Sequence, residues 1–80
     1  MGDLMGNPLA QRMEEVLRPL VGVVLASVSV DLESRRIGKD PDTITYGDVD
    51  LIAENLSEQL RLLLGKDVAE AAARKVRALM

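Results

Sequence analysis

From Leu9 onward the apolar residues recur at helical spacing: Leu9, Met13, Val16, Leu17, Leu20, Val21, Val24, Val28 and Leu32. Asn7 and Pro8 precede them, an N-cap followed by a residue suited to the first helical turn. Glu14–Arg18 and Asp31–Arg35 are i,i+4 pairs in the favourable acid-first order. Arg35 and Arg36 stand where a helix C-terminus favours cations, and Gly38 follows as a C′ residue. The pattern predicts one long helix over residues 8–37. Pro19 removes a backbone hydrogen bond and presses on the carbonyl of Glu15, so this helix should kink or restart there. Val28-Ser29-Val30-Asp31-Leu32 alternates with period two, which is a strand signal. The helix is preferred because both its ends carry caps and only the short Thr43–Tyr46 stretch could pair with a strand.

Residues 38–46 read as a loop broken by Pro41. Thr45-Tyr46-Gly47-Asp48 then resembles a capping box with Asp in the place of Glu. The helix it opens, over residues 47–64, gathers Val49, Ile52, Ala53, Leu56, Leu60 and Leu63 on one face. Gly65 is its C′ residue. Asp67 starts a third helix over residues 67–79, with a narrower stripe of Val68, Ala72, Val76 and Leu79. Residues 1–6 carry two glycines and no pattern, and read as a loose terminus. No internal repeat and no low-complexity segment is evident. The expected fold is a single all-α domain, residues 1–80, of three helices.

Residues 19–30, PLVGVVLASVSV, form a charge-free run of twelve in a chain that is 29% charged. A membrane-spanning helix needs roughly 20 apolar residues, whereas Arg18 and Asp31 bracket this run. A signal peptide would open with basic residues, but Asp3, Glu14 and Glu15 precede the run. The expectation is a cytoplasmic protein that does not enter a membrane. Two short helices can shield one or two faces of the first helix, and this run is apolar on more faces than that. An 80-residue chain buries only about 60–65% of its unfolded surface, and it has no cysteine for a staple. Small cores of this kind are usually completed by oligomerisation. The run therefore predicts a dimeric helical bundle, most simply a homodimer, with Leu20, Val21, Val24, Leu25 and Val28 packed across its axis. Gly22 with Ala26, Ser27 and Ser29 would allow close backbone approach at that seam.

The chain has neither histidine nor cysteine, so the usual general bases, nucleophiles and zinc ligands are missing. The acids Asp40, Asp42, Asp48 and Asp50 invite a metal-dependent activity. A calcium loop fails, because Ile44 takes a ligand position and Thr45 stands where glycine is needed. Asp40 and Asp42 suit a turn, and Asp48 and Asp50 suit a first helical turn. Tyr46, the only aromatic residue, suits packing at the core edge with its hydroxyl in water. Arg35, Arg36 and Lys39 form one basic cluster, and Arg74, Lys75 and Arg77 another. Both lie near helix C-termini, and a phosphate or nucleic-acid contact is the alternative role for the first. A net charge of −3, spread over both halves, argues against nucleic-acid binding by charge alone. The expectation is a structural or protein-interaction module: no enzyme, no catalytic residues, no cofactor and no metal.

Residues 12–56 also resemble part of the histone fold. A long helix, a short loop, then Thr43-Ile44-Thr45 leading into Asp48-Val49 with Leu51, Ile52 and Ala53 is similar to its second helix, second loop and third helix. The resemblance implies a head-to-tail dimer and, in true histones, DNA backbone contacts from loop Lys and Arg residues. Here Asp40 and Asp42 stand where those basic residues would be, no separate helix precedes residue 12, and a further helix follows.

Overall fold

A computed structural model describes residues 7–80; the loose terminus read at residues 1–6 lies outside the described residues. The fold is all-helical, with four helices where the sequence predicts three: α1 (Pro8–Val21), α2 (Val23–Arg36), α3 (Val49–Leu64) and α4 (Lys66–Arg77). A short 3₁₀ turn, Tyr46–Asp48, leads into α3. Val28–Leu32 lies within α2, so its period-two alternation does not make a strand.

The extra boundary is at Gly22. Pro19 neither starts nor breaks a helix, for α1 runs through it to Val21. Gly22 has φ 90° and ψ 165°, a conformation essentially closed to residues with a Cβ. As one straight helix, residues 8–37 would extend about 45 Å, more than the 38 Å long axis of the molecule. Turning at Gly22 lets α1 and α2 pack on each other instead. Gly22 is thus a corner and not the close-contact residue of a helix seam.

The cap signals at Asn7, Gly38 and Thr45 form as read, whereas Asp67, read as the start of the last helix, lies in the first turn of α4 behind Gly65. Asn7 accepts a 3.0 Å hydrogen bond from the Leu9 amide and donates one of 2.7 Å to the Ile44 carbonyl. One side chain therefore caps α1 and ties it to the loop before α3. At the end of α2 the Lys39 amide bonds to the Ser34 carbonyl and the Gly38 amide to that of Arg35, with Gly38 at φ 82°, a Schellman closure. Asp48 accepts a 2.9 Å bond from the Thr45 amide, the return arm of the capping box.

Four helices surround one core. It gathers Leu9, Met13 and Leu17 of α1, Ala26 and Val30 of α2, Ile44 of the loop, Ile52, Leu56 and Leu60 of α3, and Ala69, Ala72 and Val76 of α4. Leu63, expected on the buried face of α3, is 59% exposed.

The two halves are alike, contrary to the reading that no repeat exists. Gly65, between α3 and α4, has φ 94° and ψ 170°, nearly the geometry of Gly22. The Gly22 amide bonds to Arg18 and the Gly65 amide to Arg61; Ala26 bonds back to Gly22 and Ala69 to Gly65. Leu17-Arg18-Pro19-Leu20-Val21-Gly22 matches Leu60-Arg61-Leu62-Leu63-Leu64-Gly65. Counted from each glycine, eight buried positions coincide, Ser34 against the exposed Arg77 being an exception. The eight are Leu9 and Ile52, Ala10 and Ala53, Met13 and Leu56, and Leu17 and Leu60; beyond the glycine they are Ala26 and Ala69, Ser29 and Ala72, Val30 and Ala73, and Glu33 and Val76.

Candidate interaction surface

Matching the halves makes α4 an internal reference for α2. The inward side of α4 holds Ala69, Ala72, Ala73 and Val76. At the same places α2 holds Ala26, Ser29, Val30 and Glu33, with Ser34 beside them. On the outward side the contrast reverses. Lys66, Asp67 and Lys75 of α4 are exposed and charged. Their counterparts in α2 are Val23, Val24 and Leu32, and with Val28 these are 67%, 75%, 44% and 51% exposed respectively. Of the two helices on one scaffold, only α2 buries polar side chains, Ser29, Glu33 and Ser34, and it leaves an apolar stripe bare. Val24, Val28 and Leu32 follow one another at four-residue steps, so they lie along one face.

The predicted interface residues divide accordingly. Val24 and Val28 stand on the bare stripe, whereas Leu20, Val21 and Leu25 are partly buried against the core. Ala26 and Ser29, expected at a seam between chains, are buried within this one, and Ser27 is exposed. Sequence reading placed Leu32 on the apolar face of its helix but left it out of the interface set, and it missed the corner Leu62-Leu63-Leu64, where Leu62 is 87% exposed.

Beneath the stripe the polar groups are incompletely matched. Gln59 of α3 donates a 3.1 Å bond to the Ser29 hydroxyl, and the buried Ser34 hydroxyl donates to the Val30 carbonyl at 2.7 Å. Glu33 is fully buried. Its Oε1 accepts from Arg36 at 3.3 Å, but its Oε2 has no partner, nor has Gln59 Oε1. Burial pushes the Glu33 carboxyl up from its ordinary value, Arg36 partly opposes this, and Glu58 adds to it. Such an orphan oxygen costs stability.

The basic cluster is matched by acids. Arg35 Nε reaches both Asp31 oxygens, at 3.2 and 3.1 Å. Arg36 meets Glu33, and Lys39 meets Asp48 at 2.7 Å. The Lys39 ammonium, then the Thr45 amide, hold the Asp48 carboxyl below its ordinary value. Asp40 closes its own turn by accepting from the Asp42 amide, and Asp50 pairs with Arg77 at 3.2 Å. Each acid of the candidate metal loop except Asp42 thus has a hydrogen-bonding or ionic task. Among the described residues, no group of three or more acids is placed to hold a metal ion. Tyr46 is half exposed beside the start of α3. Among the described residues no helix is long and apolar enough to cross a membrane. No protein-family model, curated protein or solved structure matches this chain.

Proposed function

We propose that this chain is a structural, protein-interaction module with no catalytic activity of its own, and that it works as a homodimer through the outward face of α2. The observation that carries the reading is the inversion of α2 relative to α4: Val23, Val24 and Leu32 are bare where the matching positions hold Lys66, Asp67 and Lys75, and Val28 extends the stripe between them. The scaffold does not require valine and leucine there, since α4 occupies the same frame without them. Contiguous exposed apolar residues are the usual mark of an interface, and self-association satisfies a face of this kind with no second protein needed.

The test is sedimentation equilibrium of the native chain and of Val24→Glu. Val24 contributes little to the monomer core, so the variant should stay helical and sediment as a monomer while the native chain sediments as a dimer. A native chain that is monomeric at all concentrations would overturn the reading. Retention on duplex DNA that weakens steeply with salt would favour the histone-like alternative acting through Arg35, Arg36 and Lys39.

A further inference from the structure

We propose that the dimer forms by exchange of α1, with Gly22 as the hinge that opens. This deepens the homodimer reading and rests on it. In the exchanged form α1 and α2 of one chain become a single helix over residues 8–36, and α1 docks on α2 and α4 of the second copy.

Four observations point to this hinge. The connection is one residue long, and short hinges under conformational constraint invite exchange. The continuous helix is already half made across it: the Gly22 amide bonds to the Arg18 carbonyl at 2.8 Å and the Ala26 amide to the Gly22 carbonyl at 3.0 Å, both i→i−4 bonds. Only the amides of Val23, Val24 and Leu25 lack their helical acceptors, the carbonyls of Pro19, Leu20 and Val21. The start of α2 has no side-chain cap and no acid in its first turn, so no side chain there stabilises those amides in the closed form. Lastly, Val23 and Val24 stand bare beside the hinge, and straightening brings them to the middle of a long helix, where the copies would meet.

The occupant is a second copy because the required surface already exists. The face of α1 that carries Leu9, Met13 and Leu17 packs on its own α2 and α4 in the closed form. Exchange remakes that contact between chains, adds three backbone bonds at each hinge and covers the valines around it. Pro19 does not oppose this, for it already lies inside α1. Gly65 is the weaker candidate: Asp67 stands in the first turn of α4, and α3 and α4 form the most extensive helix pair.

The experiment places two spin labels on one chain, at Arg12→Cys and Arg35→Cys, with labelled protein diluted into unlabelled so that only distances within a chain are read. The absence of native cysteine makes the labelling specific. In the exchanged dimer the labels should lie about 35 Å apart, the length of 23 residues of straight helix. In the closed chain they are closer, because α1 packs on α2. A dimer that keeps the short distance overturns the hinge but leaves the homodimer reading standing; absence of any dimer overturns both. Gly22→Ala is the second arm. Alanine is disfavoured at φ 90° and favoured in a helix, so it should raise the association constant by about tenfold or more. Gly65→Ala should destabilise the chain without that rise. Equal or weaker association of Gly22→Ala would overturn the hinge.

Discussion

At the scale of single residues, Glu33 stands out because the structure withholds what a buried carboxylate needs. One oxygen has the Arg36 guanidinium and the other has nothing. Its carboxyl holds a proton to higher pH in the folded chain than in the unfolded one. The stability from that proton is therefore complete at low pH and is lost as pH rises from the ordinary glutamate value through the folded one. Asp48 has the opposite sign. Its value is lowered, so its contribution is present at neutral pH and is lost on acidification. Comparing the native chain with Glu33→Gln cancels the Asp48 effect. Urea melts at neutral pH and near the ordinary glutamate value should show the native chain gaining on Glu33→Gln as pH falls, and equal slopes would contradict this. Glu33→Met removes the orphan oxygen at similar volume and should stabilise the monomer by about 1–3 kcal/mol, read as a raised Tm. Asn7 carries a simpler expectation: Asn7→Ala loses both the cap and the link to Ile44, and should cost about 1–2 kcal/mol in a denaturant melt.

At the scale of elements, several helix ends were legible, but the end of α1 at Val21 was not, and Asp67, read as the start of the last helix, lies inside α4 behind its N-cap Gly65. Asn7, the Arg35-Arg36-Gly38 terminus, the Thr45–Asp48 box and Gly65 all function where they were read. What escaped was Gly22, because a glycine within an apolar helical run is equally compatible with close packing and with a corner. The signal that separates these was present in Leu17-Arg18-Pro19-Leu20-Val21-Gly22 and its counterpart Leu60 to Gly65. The second copy ends a helix at its glycine, and the first follows suit. The bare stripe was half legible for a related reason. A charge-free run shows that much apolar surface exists, but not which of its residues the chain covers for itself. Leu20, Val21 and Leu25 went to the core, and Val24 and Val28 did not. Glu33 and Ser29 were least legible, since polar residues at helical spacing read as an outer face.

At the scale of the whole molecule, the matched halves share one core and should unfold together. Leu17 and Leu60 occupy equivalent, fully buried positions. Leu17→Ala and Leu60→Ala should each cost about 2–5 kcal/mol, in one transition that is the same by circular dichroism and by fluorescence of Tyr46. Two separate transitions would show that the halves fold apart. The resemblance of the halves has another side, which concerns how far assembly can go. A chain with two equivalent helices has two places to carry an adhesive stripe. With both filled, every bound copy would offer a fresh contact, and growth would run on into a fibre. Only α2 carries the stripe, while Lys66, Asp67 and Lys75 keep the matching place on α4 wetted. Placing Val, Val and Leu at those three positions should turn a species of fixed size into one whose mass rises with concentration, a change that light scattering would detect.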